Sequence, residues 1–373
     1  MIPITRPTLP PLEEYAALLE RIWDSRMLSN FGPFARQLED QTRDYLGVGH
    51  AAVVVSGDIG LMIALSSLQL PTGSPCFLPS FTFNSTVNAV LWNGLTPVFV
   101  DVDADTFTMS AEDLALACDR EPRPGVVLAT HVFGNPCDHD GLRAVADRHG
   151  HRLAYDAAHG YGSLRDGVHV GALGDVEVFS LSGTKLVTSA EGGLVTTSDP
   201  VVAERIGYLR AYGFQGDYSS RYVGINGKMS ELHAALGLLA LAEVEVAVAD
   251  RLALLRAYRE RLGAAVGFQR VRSRDRSTHK DIALRLGSDR AAVEAALTAV
   301  GVQTKRYFRP LHDMPAYRRW STRPLPATDE VYEHVLCVPA FSGLDEAGLS
   351  LICDTVLRTL QRAGAARVCP GAA

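Results

Sequence analysis

The sequence predicts an α/β protein: a large domain built on a mostly parallel sheet with helices on both faces, followed by a smaller C-terminal α+β domain. Two observations carry this. From Pro33 to Asp199, helix-like segments alternate with short apolar runs, the pattern that builds parallel sheets. Most of the runs are apolar throughout instead of alternating with polar residues, as strands covered on both faces are. We draw the boundary near residue 245, with a large domain and N-terminal arm over 1–245 and a small domain over 246–373.

Seven strands are expected at Ala51–Val55, Cys76–Leu78, Pro97–Val100, Val126–Thr130, Arg152–Tyr155, Val176–Leu181 and Leu194–Thr197. Helices fill Phe34–Tyr45, Ile59–Leu68, Val87–Trp92, Ala111–Ala117, Leu142–Arg148 and Val201–Tyr212. After the Gly-rich stretch Gly213–Gly227, one long helical region from Ser230 to Leu262 leads into the second domain. There Ile282–Leu286, Arg290–Val300, Glu330–Val335 and Leu344–Arg362 supply a strand and helices, and the Ala-Gly-Pro-rich tail from Ala363 is expected to fray.

Composition sets the class. At 373 residues, 47% hydrophobic and 21% charged, the chain is an ordinary globular protein with room for two cores. A formal net charge of -6 argues against nucleic acid or an anionic membrane as partner, while leaving room for a small anionic ligand. Cys76, Cys118, Cys137, Cys337, Cys353 and Cys369 lack C-x-x-C spacing, so neither a zinc site nor a disulfide framework is expected, and no metal. A reduced, cytoplasmic setting fits that usage. The start MIPITRPTLPPLEEY reads as no secretory signal, and the apolar stretch Ala234–Ala249, broken by Glu243 and Glu245, reads as a buried helix and not a membrane span.

The chemistry centres on Lys185. It is one of four lysines and the only charged side chain between Glu177 and Glu191, on the connection between two expected strands. An ammonium taken out of water, with no carboxylate beside it in sequence, has a lowered pKa and is primed to attack a carbonyl as an amine. The strand Arg152–Tyr155 delivers Asp156 and then His159, in YDAAHGYG. For a pyridine cofactor, an aspartate here would charge the ring nitrogen and a histidine would reach its phenolic oxygen. The strand Ala51–Val55 runs into Ser56, Gly57, Asp58, Ile59 and Gly60 and then an apolar helix, offering free N–H groups to an anion, with the Ser180 hydroxyl beside them. Phe83, in PSFTFN, is a candidate to stack on a flat ring. Each of these features has an ordinary structural reading, as a core residue or turn, when taken alone.

Together they resemble the DegT/DnrJ/StrS family of sugar aminotransferases, pyridoxal-phosphate-dependent enzymes of the aspartate aminotransferase fold, fold type I. The resemblance runs from Met1 to Arg362 through LSNFGPFARQLED, SGDIGLMIAL, LPSFTFNSTVNAV, PVFVDVDADTFTM, YDAAHGYGS, FSLSGTKLVTSAEGG, GINGKMSELHAALG and VQTKRYFRPLHDMPAY. It implies Lys185 as the lysine that holds pyridoxal 5'-phosphate as a Schiff base, Asp156 at the ring nitrogen, His159 at the phenolic oxygen and Phe83 on the ring. Gly57, Asp58, Ile59 and Ser180 match the phosphate cup. Asn226 matches an asparagine that reaches the phosphate from the other subunit of a homodimer. Two departures stand out: Asp58 where the family usually has threonine, a carboxylate that we expect to turn away and cap the helix, and Lys228 where arginine is common.

The resemblance further implies a ping-pong transamination in which glutamate donates an amino group and a nucleotide-linked keto sugar receives it, with Tyr307 as the candidate sugar contact. Members acting at the sugar C4 carry FS-x-x-x-TK followed by EGG, as here, so a dTDP-4-keto-6-deoxyglucose acceptor is expected, giving the 4-amino-4,6-dideoxy sugar. A 3-keto sugar or a cyclitol ketone of the scyllo-inosose type is the alternative acceptor. Relatives acting as dehydrases carry histidine in place of the lysine, which Lys185 argues against. A nicotinamide enzyme is disfavoured because Gly47-Val48-Gly49 lacks the third glycine and precedes its strand. A noncatalytic cofactor-binding regulator is disfavoured by the retained lysine and its partners.

Overall fold

A computed structural model describes residues 1–216 and 218–368. The chain opens with α1 (Leu12–Ser25) and α2 (Pro33–Leu46) and then alternates: β1 (His50–Val54), α3 (Gly57–Ser67), β2 (Pro75–Pro79), α4 (Asn84–Trp92), β3 (Thr96–Val100), α5 (Ala111–Arg120), β4 (Val126–Thr130), α6 (His139–His149) and β5 (Arg152–Asp156). A short ribbon of β6 (Leu164–Arg165) and β7 (Val168–His169) precedes β8 (Val176–Ser180), β9 (Gly193–Thr197) and α7 (Pro200–Leu209). The seven-stranded sheet has the order β1-β9-β8-β5-β4-β2-β3. Only β9 runs against its neighbours β1 and β8.

Side-chain alternation along the strands divides the core. Ala154 of β5, with Leu78, Leu128 and Val178, packs under α3, α4 and α7. The flanking residues Leu153 and Tyr155 pack on the opposite face under α5 and α6, and Val53, Phe179 and Leu194 on that face meet α1, α2 and α8 (Glu231–Ala242). Both faces are therefore dry, which is why these strands are apolar at every position.

Several boundaries move. The helix expected from Ile59 starts at Gly57, because the Ser56 hydroxyl caps it by accepting from the Ile59 N–H at 3.3 Å. The helix expected to reach Tyr212 stops at Leu209, and Tyr212 takes a left-handed turn with φ 63°. The single long helical region breaks at Glu243 into α8 and α9 (Val244–Leu262), bent by 58°. Among the described residues no single helix is long and apolar enough to cross a membrane. The helix α1 had no counterpart in the sequence reading, although Tyr15, Leu18, Leu19 and Ile22 recur at helical spacing and pack against the core beside α2 and α8.

The small domain has a three-stranded antiparallel sheet, β10 (Gly267–Phe268), β11 (Ile282–Arg285) and β12 (Val335–Val338), with α10 (Arg290–Ala299), α11 (Pro326–His334) and α12 (Glu346–Val368). The extreme N-terminus joins it: the Ile2 N–H donates to Gly301 and the Ala340 N–H to Ile4, at 2.9 and 3.0 Å. The backbone is helical to Val368; the rest of that tail, with Cys369, lies outside the described residues. Cys76, Cys118, Cys137, Cys337 and Cys353 are free and buried.

Two packing devices fix the walls that carry the site. Glu231, fully buried at the start of α8, accepts from the N–H groups of Phe34 and Ala35 at 2.7 and 3.1 Å and so caps α2 from a distance in sequence. Gly32 lies so close that an added Cβ would sit 2.5 Å from the Glu231 carboxyl carbon. Gly47, of the Gly-Val-Gly motif, is the left-handed residue that ends α2, with φ 67°.

Candidate active site

The carboxyl ends of β1, β2, β4, β5 and β8 open onto one cavity of about 340 Å³, where ligands gather in open α/β sheets. The structure brings Gly57, Asp58, Phe83, Asp156, His159, Ser180, Lys185 and Tyr307 to its walls. Two sequence candidates stand apart. Ile59 spends its N–H on the Ser56 cap and packs its side chain into the core. Asn226 is exposed, and its carbonyl accepts from Lys228 Nζ at 2.8 Å.

Lys185 sits on the β8–β9 connection, held by its own N–H to the Ser182 carbonyl at 2.9 Å. Its ammonium pKa falls from 10.5 to about 8, first through burial and next through the positive charge of Lys280; Asp281, Asp156 and Asp58 pull the other way. Carboxylates are thus present that sequence distance concealed, but burial outweighs them. Asp156 ends β5 and is buried. Burial pushes its carboxyl pKa up, against hydrogen bonds from Thr86 Oγ1 at 2.7 Å and the Ala158 N–H at 3.1 Å. A hydroxyl chain continues from Thr86 through Thr82 to Thr130.

His159 accepts from the Phe133 N–H at Nδ1, 3.3 Å away, so the neutral ring carries its proton on Nε2. Burial, with Lys185 and Lys280, drives its pKa well below the usual value, which fixes that neutral form. At the first turn of α3, the N–H groups of Gly57 and Asp58 have no acceptor among the described residues. A Cβ on Gly57 would lie 3.0 Å from Ser180 Cβ, so glycine alone lets the two backbone turns approach. The Asp58 side chain is exposed and does not cap the helix, as had been expected; Ser56 does.

The small domain supplies the remaining wall. Tyr307 accepts from Lys305 Nζ at 2.7 Å, and burial pushes its phenol up to about 12. Phe308 leans toward Phe83, with ring centroids 6.4 Å apart. Lys280, 4% exposed, donates to both Asp281 oxygens at 3.1 Å and faces the same cavity. Sequence reasoning counted this lysine without placing it. Its signal was a Lys-Asp pair directly before an apolar strand, where charge is out of place. Thr82, Thr86 and Thr130 were missed because threonines carry no charge pattern to single them out.

These residues fit pyridoxal phosphate. A buried carboxylate with no cation in hydrogen-bond contact would gain one from a pyridinium N–H, the His159 Nε2 proton suits a phenolate, and the first turn of α3 suits a phosphate.

Comparison with known proteins agrees with this site. The profile of the DegT/DnrJ/EryC1/StrS aminotransferase family matches residues 12–357. The dTDP-4-amino-4,6-dideoxy-D-glucose transaminase of Escherichia coli is 32% identical over 356 residues, covering 92% of this chain and 95% of its own. The GDP-perosamine synthase of Caulobacter vibrioides is 33% identical, covering 88% and 91%. Among solved structures, DesI with its TDP-sugar product is 34% identical and superposes with a TM-score of 0.91 over 98% of this chain and 95% of its own. A buried lysine of lowered pKa, sharing one cavity with a buried aspartate and the open first turn of a helix, thus stands in a chain that belongs to the DegT/DnrJ/EryC1/StrS aminotransferase family and is a pyridoxal-phosphate-dependent aminotransferase.

Proposed function

We propose that this enzyme moves an amino group from glutamate to C4 of dTDP-4-keto-6-deoxyglucose, forming the 4-amino-4,6-dideoxy sugar. The observation that carries the reaction is the convergence of Lys185, Asp156 and His159 on one cavity. The acceptor rests on the names of the 32%-identical transaminase and of the structure holding a TDP-sugar product.

When bound, pyridoxal phosphate supplies an electron-withdrawing ring that stabilises charge at the substrate carbon. The chain's own residues do the rest. The Gly57 and Asp58 N–H groups and the Ser180 hydroxyl would hold the phosphate, while the Asp156 carboxylate would keep a proton on the ring nitrogen. His159 Nε2 would donate to the phenolic oxygen, and Phe83 would cover one ring face. Lys185 Nζ would tether the cofactor and, as a free amine, would take up the proton from the donor carbon and hold it for return. Its lowered pKa keeps that nitrogen able to accept a proton near neutral pH. Tyr307, on the cavity wall, would contact the sugar.

We further propose a homodimer in which Asn226 completes the partner's phosphate site. Val223 and Ile225, which flank it, are 97% and 38% exposed, an apolar edge that a second copy would cover. The free, buried cysteines agree with a reducing cytoplasm. A GDP-linked 4-keto sugar is the second reading, favoured by the 33%-identical GDP-perosamine synthase. Incubation with glutamate and each 4-keto nucleotide sugar, read by mass spectrometry, separates the two. An inert 4-keto sugar beside a consumed 3-keto isomer or cyclitol ketone overturns the regiochemistry.

A further inference from the structure

The aminotransferase reading leaves a physical problem, because one cavity must accept two unlike substrates in turn. The amino donor brings a carboxylate next to the reacting nitrogen; the keto sugar brings a ring of hydroxyls. An isolated fixed cation would suit the first and lie desolvated and unpaired beside the second. Lys280 and Asp281 have the features that resolve this. Both are 4% exposed, and each Asp281 oxygen accepts from Lys280 Nζ at 3.1 Å. An ammonium has three N–H donors, and Asp281 occupies two, leaving one for the cavity that Lys280 lines. The pair is held in place from behind, since the Lys280 N–H donates to the Phe133 carbonyl at 3.0 Å. Lys280 Nζ also lies 5.9 Å from the centroid of the Tyr307 ring.

We infer that Lys280 is a specificity-determining residue: its ammonium takes the α-carboxylate of the amino donor and returns to Asp281 alone when the keto sugar occupies the site. The inference rests on the transamination reading. Connectivity selects the α-carboxylate. It is bonded to the carbon that bears the transferred amine, so it lies beside the place of Lys185 Nζ, and Lys280 is near enough to be the strongest charged influence on that nitrogen. Asp281 keeps the cation neutralised during the sugar half-reaction, when no carboxylate is present.

The two half-reactions, measured separately on the holoenzyme, test this. In Lys280→Met, the half-saturation concentration for glutamate rises about tenfold to a hundredfold, the range set by one hydrogen bond to a charged group. The sugar half-reaction, run on the aminated enzyme, changes by far less. Lys280→Arg recovers most of the glutamate affinity. Because Lys280→Met strands the buried Asp281 carboxylate, the double variant Lys280→Met/Asp281→Asn is measured beside it and shows the same loss. Calorimetric titration with glutarate, which has no amine to react, gives a matching drop in affinity. Glutamine, which keeps only the α-carboxylate, loses the same factor as glutamate; a loss confined to glutamate and glutarate would move the contact to the other carboxylate and overturn the assignment. Unchanged glutamate half-saturation in both variants also overturns it. Failure of the wild-type enzyme to turn over glutamate at all would instead sink the functional reading on which it stands.

Discussion

Lys185 reports on its surroundings through its titration. With its pKa held at about 8 by burial and Lys280, the cofactor-free enzyme has about a tenth of this side chain as free amine at pH 7, against roughly one part in 2,500 for an ordinary lysine. Protonation blocks attack on the cofactor aldehyde, so loading should speed up as pH rises and level off above about 9. Stopped-flow absorbance across pH 6.5–10.5 measures this, and an inflection near 10 would refute the assigned environment. Lys185→Ala should abolish turnover while leaving the fold intact. Asp58 works in the opposite sense: its exposed carboxylate stands at the first turn of α3 and raises the Lys185 pKa. Its favourable interaction with the helix N-terminus is worth about 0.3–1 kcal/mol, but a phosphate dianion would compete for the same turn. Asp58→Asn should therefore hold pyridoxal phosphate at least as tightly as the natural enzyme. Fluorescence titration of the cofactor-free protein checks it; markedly weaker binding would give Asp58 a positive role. The AEGG residues gain a plainer meaning from the structure. A Cβ on Gly193 would sit 2.7 Å from the Ser56 carbonyl, and one on Gly192 2.5 Å from Met229 Cε. Gly193 lets the Ser56–Gly57 turn close and Gly192 makes room for Met229, whatever they correlate with in substrate choice.

At the scale of elements, the two pocket walls are pinned together by one serine. Ser80, fully buried at the end of β2, accepts from the His312 N–H at 3.1 Å and pairs with His312 Nδ1 at 2.7 Å, while its carbonyl accepts from Leu311. Ser80 leads into Thr82 and Phe83; His312 follows Tyr307 and Phe308. Removing the hydroxyl strands a buried N–H and a ring nitrogen, at about 1–3 kcal/mol. Ser80→Ala should lower the melting temperature by a few degrees and raise the half-saturation concentration for the sugar, read by calorimetry and steady-state kinetics. A variant as stable and as tight as the natural enzyme would show that the pin holds nothing. The sequence made the large sheet legible because each strand is apolar on both faces, and it made Lys185 legible because no other charge lies near it in sequence. It did not reveal the break at Glu243, since α8 and α9 are both good helices and the bend is imposed by packing. Nor did it reveal Lys280, Ser80 or Glu231 as structural partners, because each acts on residues more than 90 positions away in the chain. Such contacts have no local signature. The Asp58 cap failed for the opposite reason: two local candidates competed, and Ser56, one position outside the helix, had the better geometry.

At the scale of the whole molecule, the decisive question is whether one chain holds a complete site. Gly57, Asp58 and Ser180 supply the turn proposed for the phosphate, yet no cationic side chain among the described residues is hydrogen-bonded to them, and Asn226 is not among the residues that line its own chain's cavity. In the homodimer proposed above, a two-fold interface would bring the Asn226 of each chain to the other's site, and the exposed Val223 and Ile225 near it in sequence would suit such an interface. Complementation then follows from counting. In a heterodimer of Asn226→Ala and Lys185→Ala chains, one site takes Lys185 from the first chain and Asn226 from the second and is intact; the other carries both defects. Each heterodimer thus has one intact site of two, so the purified heterodimer should approach about half the natural activity per site, above whatever the Asn226→Ala parent retains. Denaturation and refolding of mixed, differently tagged chains, followed by assay of the purified heterodimer, measures it. If the heterodimer does no better than the average of its parents, each site is made by a single chain, and Asn226 serves the surface that carries it.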